Sequence, residues 1–126
     1  MNTQVNFQIR INDTANIEEI GLRVSKALNC TFTPSEANEF EGDEALETKI
    51  LGMWITLNYY PDLPEGQMRN YRLTGDVPEN IKMPWGDETI DISEYILGVL
   101  TRVDSNEWYI PDMNEKLSEA GLDLSE

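Results

Sequence analysis

The sequence predicts an α+β fold: a small antiparallel sheet of about three to four strands, with helices packed against one face. Apolar residues alternate with polar ones from Val5 to Ile11, which is the period of an amphipathic strand. Apolar residues recur at spacings of three and four from Ile17 to Leu28 and from Ile92 to Val103, which is the period of a helix. At 126 residues, we expect residues 1–126 to form a single domain.

The first two elements are bounded by clear local signals. Asn12-Asp13-Thr14 predicts a turn and an N-cap, and the helix that follows should extend to about Leu28, with Asn29 as its end. Residues 33–36 (Thr-Pro-Ser-Glu) form a second helix-start signature, because a capping residue precedes a proline and an acid. The pattern predicts a short helix that ends near Phe40 or Gly42.

The most apolar stretch, from Thr48 to Leu73, predicts two strands joined by a turn. Alternate residues from Leu51 to Tyr59 are apolar and should line one face of the sheet. Gly52 within this strand indicates a bulge or a close backbone approach. Residues 61–66 contain two prolines and a glycine and predict a turn. Extended character resumes over Gln67–Leu73, which completes an antiparallel hairpin.

The remainder of the chain is expected to contain two more helices. Residues 74–85 are interrupted by prolines and predict a loop, after which Asp91 or Ser93 caps a helix. A last helix is predicted over residues 113–120, and residues 122–126 should form a loose tail.

Composition excludes several classes of function. With 24 acidic residues, 9 basic residues and no histidine, the net charge is −15, so the surface should repel nucleic acid and anionic membranes. Solubility is one explanation of this charge, and a basic partner or mimicry of a polyanion is the other. The start of the chain has no basic, apolar leader pattern, and the longest apolar run is far shorter than the roughly 20 residues of a membrane span. We therefore expect a cytoplasmic protein.

The available chemistry favours binding over catalysis. Without histidine, nucleophiles of the Ser-His or Cys-His type are impossible, and no phosphate-binding glycine motif occurs. Cys30 is the one cysteine and is expected to be a small buried residue. We expect no enzymatic activity, cofactor or metal. A carboxylate site built from Asp87, Glu88 and Asp91 remains the alternative.

Two acidic groups and one aromatic residue are the predicted partner-binding residues. The first group is a segment with no basic residue until Lys49, namely Glu36, Glu39, Glu41, Asp43, Glu44 and Glu47. The second consists of Asp87, Glu88 and Asp91, with Trp85 as an aromatic anchor. A solvated loop is the alternative for the first group, and a plug at the edge of the core is the alternative for Trp85.

The apolar strand of residues 50–57 (Ile-Leu-Gly-Met-Trp-Ile-Thr-Leu) and the aromatic end of residues 108–111 (Trp-Tyr-Ile-Pro) accompany the acidic composition. In these features the chain resembles the small acidic immunity proteins of bacterial polymorphic-toxin and contact-dependent growth inhibition systems. The resemblance implies tight binding to one cognate toxin C-terminal domain in the cytoplasm. The other hypotheses are a structural or adaptor subunit, a DNA-mimic inhibitor and a carboxylate-dependent enzyme.

Overall fold

A computed structural model of the protein describes residues 4–35, 45–60, 67–77, 89–104 and 107–112. Its elements in chain order are β1 (Gln4–Asp13), α1 (Ile17–Leu28), β2 (Thr33–Pro34), β3 (Leu46–Ile50), β4 (Met53–Tyr60), β5 (Arg69–Asp76), β6 (Thr89–Asp91) and α2 (Ser93–Val103). The strands form one 6-stranded sheet in the order β2-β3-β4-β5-β1-β6. The pair β1–β6 is parallel, and the other neighbouring pairs are antiparallel. The predicted α+β class is confirmed. The predicted antiparallel sheet of about three to four strands is only roughly right.

The first strand and helix form as the sequence pattern predicts. Alternate residues of β1 (Phe7, Ile9 and Ile11) are buried. α1 ends at the predicted place, with Asn29 in a left-handed conformation at φ 55°. The N-cap differs from the prediction, because it is Asn16, whose side-chain oxygen accepts a 2.8 Å hydrogen bond from the backbone N of Glu19.

The prediction of one continuous strand through Gly52 is wrong, because the chain reverses direction there. β3 and β4 form a hairpin closed by Leu51 and Gly52, and Ile50 pairs with Met53 across the turn. Both turn residues have positive φ, 54° for Leu51 and 78° for Gly52. Glycine here supports a tight turn and not the expected bulge. Leu51 does not lie on the apolar face to which alternation assigned it, since it is 92% exposed.

The following strand pair is confirmed, although its second strand is longer than predicted. β5 is antiparallel to β4, and Arg69, Tyr71 and Leu73 are buried on one face. The strand continues to Asp76, so residues 74–76, which were predicted to be loop, belong to the sheet.

Two short strands replace other predicted features. Thr33 and Pro34 pair with Glu47 and Leu46 of β3, so the predicted helix start at this position is wrong. Pairing with a neighbouring strand overrides the local capping signal here, as tertiary contacts often do. β6 has only 3 residues, which is too short for any periodic pattern to reveal.

One hydrophobic cluster holds the two helices against the sheet. The cluster contains Ile17, Ile20 and Val24 of α1, together with Ile96 and Leu100 of α2 and the apolar residues of β1, β4 and β5. The apolar stripe predicted on α2 is only partly in this core. Tyr95 is 70% exposed and Val103 is 56% exposed.

Several predicted features lie outside the described residues. They are the end of the short helix near Phe40 or Gly42, the turn at residues 61–66, the last helix at residues 113–120 and the tail at residues 122–126.

Candidate functional site

Most of the first predicted acidic group lies between β2 and β3 in the sequence. The backbone N of Ser35 donates a 2.9 Å hydrogen bond to the backbone O of Ala45, which holds together the two ends of the intervening segment. Five of the six residues of this group lie outside the described residues, namely Glu36, Glu39, Glu41, Asp43 and Glu44.

Glu47, the sixth member of that group, lies on β3 and has a structural contact. Its Oε2 accepts a 3.1 Å hydrogen bond from the indole Nε1 of Trp54 on the neighbouring strand. Both side chains are half-buried. Because Glu47 opposes Thr56 and Trp54 opposes Lys49, the bond runs diagonally across the strand pair.

Asp91 is the one member of the second predicted group within the described residues. It is exposed and ends β6. Its Oδ1 accepts a 2.8 Å hydrogen bond from the backbone N of Ser93 and another from the Ser93 hydroxyl. The same hydroxyl oxygen accepts a 3.0 Å hydrogen bond from the backbone N of Gln8. Through Ser93, Asp91 thus links the start of α2 to β1. Trp85, Asp87 and Glu88 lie outside the described residues.

Asp91 also lines a shallow surface cavity of about 330 Å³, together with Ser93, Glu94 and Ile110. Two carboxylates and one apolar side chain therefore border the same depression. Such a combination suits a lysine or arginine side chain, whose aliphatic stem packs on apolar surface while its charged end meets the carboxylates.

β3, which carries Glu47, and β6, which carries Asp91, lie far apart in the sheet. Leu46 aligns through the ladder with Leu57, Leu73 and Ile9, whereas Asp91 aligns with Asn6. That is a separation of about 10 Å along the strands. β3 and β6 are also four strand spacings apart, or about 19 Å. A partner that contacts both Glu47 and Asp91 must cover most of the width of the sheet.

Part of the positive charge of the described residues is buried or paired, although Lys26, Lys49 and Arg102 are exposed. Arg10 is 1% exposed and Arg69 is 4% exposed. The Arg69 guanidinium lies 4.3 Å from the centroid of the Tyr59 ring, and its Nη1 donates a 3.2 Å hydrogen bond to the Tyr71 hydroxyl. Arg23 is paired with Asp13 at 2.8 Å. Since the protein has only 9 basic residues, these three reduce the positive charge left to face solvent.

A second cavity, which no sequence pattern indicated, lies beside α1. Its volume is about 420 Å³, and its lining includes Gly21 and Leu22 of α1, Cys30 and Phe32 from the connection to β2, and Leu46 of β3. Cys30 is half-buried, and burial raises the pKa of its thiol, while a hydrogen bond with the Thr48 side chain acts in the opposite direction. The thiol is therefore predominantly protonated near neutral pH.

No family model, curated protein or solved structure matches this chain. Among the described residues, no cluster of three or more acidic or cysteine side chains is arranged to hold a metal ion. Neither helix in that part of the chain has the length and apolar character required to cross a membrane.

Proposed function

We propose that this protein is a non-enzymatic binding protein. It neutralises a cognate toxin or effector domain with a basic surface by covering the active or substrate-binding surface of that domain. The observation that carries the proposal is the distribution of charge. A protein with net charge −15 has two of its 9 basic side chains buried and a third in an ion pair.

Such a surface accelerates encounter with a basic partner over long distances. The attraction acts before contact and falls steeply with ionic strength, because salt screens it beyond about 10 Å at 0.1 M. Specificity then depends on local contacts, for which the two acidic groups and Trp85 remain the predicted residues.

The test is capture of a basic protein from the host of this chain at low salt, followed by kinetics with the purified partner. We expect the association rate to fall at least tenfold between low and physiological salt. If no basic protein is captured at low salt, the proposal is wrong. Inhibition of the captured protein's own toxicity distinguishes a neutralising protein from an adaptor, which binds without inhibiting.

Charge-neutral variants locate the interface. One variant replaces the five carboxylates of residues 36–44 with amides, and another carries Asp87→Asn, Glu88→Gln and Asp91→Asn. A control carries Glu18→Gln, Glu19→Gln and Glu107→Gln, a charge change equal to that of the second variant at exposed positions away from both acidic groups. The interface variants should dissociate from the partner faster than the wild type does. The control should change the association rate alone.

A further inference from the structure

The turn between β3 and β4 carries a residue that its backbone conformation disfavours. Leu51 and Gly52 both have positive φ, at 54° and 78°, as a two-residue type I′ turn requires. Asparagine, aspartate and glycine are the residues preferred at the first of these positions. Leucine there brings its Cβ close to the following carbonyl oxygen, which is why residues other than glycine rarely adopt this conformation.

Exposure of its apolar side chain to water also disfavours leucine at position 51. Leu51 is 92% exposed, more than Leu22 at 64%, Tyr95 at 70% or any other large apolar residue that the described part of the chain exposes. The flanking residues Ile50 and Met53 pack against the hydrophobic cluster, so the core ends just below the tip. The Leu51 side chain therefore contributes neither turn propensity nor apolar burial to the fold.

The end of the sheet around the tip carries both signs of charge, because exposed Lys49 of β3 opposes Trp54 beside the turn, while two carboxylates lie on strands beyond β4. Trp54, next to the turn, opposes Asp76 of β5. One strand further, Asn6 of β1 opposes Asp76 and also aligns with Asp91 of β6. Asp76 and Asp91 are both exposed, so the end of the sheet from which Leu51 projects displays two carboxylates. At a net charge of −15 a second copy of this chain is repelled, so charge complementarity favours a different, cationic occupant.

We propose that Leu51 is an anchor residue that inserts into an apolar pocket bordered by lysine or arginine side chains on a partner protein. The inference rests on the proposed binding function and adds to it a specific contact outside the two acidic groups. Transfer of a fully exposed leucine side chain into such a pocket strengthens binding by about tenfold or more. A strained, exposed residue at a turn is also typical of functional sites, where strain persists because the residue is needed.

The test uses Leu51→Asn, since asparagine accepts positive φ and removes the apolar side chain. The variant should unfold at an equal or higher urea concentration than the wild type, so that weaker binding cannot be attributed to misfolding. Against the purified basic partner we expect an affinity at least tenfold lower. The matched control Leu22→Gln removes an exposed leucine from α1 and should change affinity by less than about twofold.

Photo-crosslinking tests the proposed Leu51 contact without relying on the captured partner. A diazirine amino acid at position 51 should yield one discrete protein adduct in the host, whereas the same group at position 22 should not. Absence of a discrete adduct, adducts with lipid, or unchanged affinity of Leu51→Asn for the captured partner would each overturn the anchor while leaving the proposed function intact. A discrete adduct with an acidic protein that Leu51→Asn no longer binds would support the anchor and overturn the proposed function.

Discussion

Phe7 of β1 lies directly opposite Gly75 of β5, and its ring fills the space that a side chain at position 75 would require. A Cβ built on Gly75 would come within 2.3 Å of the Phe7 Cε2 atom. On its other side Gly75 opposes Ile55 of β4. The glycine is therefore needed for packing between three strands and not for an unusual backbone angle.

Gly75→Ala should consequently destabilise the protein by about 1–3 kcal/mol, because the Phe7 ring must leave its rotamer or the strands must separate. Gly98→Ala is the matched control, since a Cβ at that exposed position on α2 meets nothing within 4 Å. The control should stabilise the helix by about 0.5–1 kcal/mol. Urea unfolding gives both values, and a neutral Gly75→Ala would contradict the packing.

A second prediction concerns the buried arginine of β5. Arg69→Lys should lower the free energy of unfolding by about 2 kcal/mol, because an ammonium group neither stacks on the Tyr59 ring as a planar group nor reproduces the geometry of the bond to Tyr71. Arg102→Lys makes the same change at an exposed position of α2 and should be within about 0.5 kcal/mol of the wild type. Equal effects of the two substitutions in urea unfolding would show that the stacking contributes little.

The elements that the sequence predicted well are those with long, one-sided periodicity. β1, α1 and α2 each bury one stripe, so alternation or three-and-four spacing identifies them without knowledge of their neighbours. The sequence predicts one continuous strand through residues 51–52, where the structure has a hairpin turn, and this error has a specific cause. Ile50, Leu51, Gly52 and Met53 read as one apolar run, and a leucine stands at the turn position where asparagine or aspartate would have given the signal.

The candidate site was less predictable, because its properties depend on contacts distant in sequence. Glu47 reads as one more acid of a run, yet its carboxylate accepts a hydrogen bond from Trp54. The pattern predicts Asp91 or Ser93 as the cap of α2, but the N-cap is Ile92 without a side-chain cap hydrogen bond, and Asp91 contacts Ser93 instead. Arg10 and Arg69 are buried beside residues distant in sequence, Tyr109 and Tyr59 respectively, and composition does not contain such contacts.

A third prediction concerns acid stability. Asp13 Oδ2 accepts a 2.8 Å hydrogen bond from Arg23, and its Oδ1 accepts a 2.9 Å hydrogen bond from the backbone N of Ala15. Burial opposes ionisation of this carboxyl, but the hydrogen bonds and the Arg23 charge outweigh it and lower the pKa of Asp13. A lowered folded-state pKa stabilises the fold above the unfolded-state pKa, and this contribution is lost as the pH falls through the folded-state value.

Asp13→Asn should therefore destabilise the protein by about 1 kcal/mol at pH 7, since the amide keeps the acceptor for Ala15 but loses the charge that pairs with Arg23. The difference from the wild type should shrink as the pH falls from about 4, the unfolded-state pKa, towards the lower folded-state pKa of Asp13. Urea unfolding from pH 3 to pH 7 measures it. Glu19→Gln is the control, because its carboxylate lies 4.0 Å from Arg23 and is well exposed. If the stability difference between Asp13→Asn and the wild type stays constant with pH, the linkage is contradicted.

The last prediction compares two tryptophan–carboxylate hydrogen bonds that differ in burial. Trp108 Nε1 donates to Asp104 Oδ2 at 2.8 Å, with Trp108 only 5% and Asp104 only 7% exposed. Trp54 Nε1 donates to Glu47 at 3.1 Å from a half-buried position. Removal of a donor is more costly where water cannot replace it, so Trp108→Phe should be more destabilising than Trp54→Phe by about 1–2 kcal/mol. Asp104→Asn should be milder than Trp108→Phe, since an amide oxygen still accepts the indole N–H and the aromatic packing remains. If urea unfolding gives the two tryptophan variants equal stability, the buried hydrogen bond of Trp108 contributes no more than the half-buried one of Trp54. The segment that carries Trp108 would then be held against β1 by the backbone hydrogen bonds between Arg10 and Tyr109.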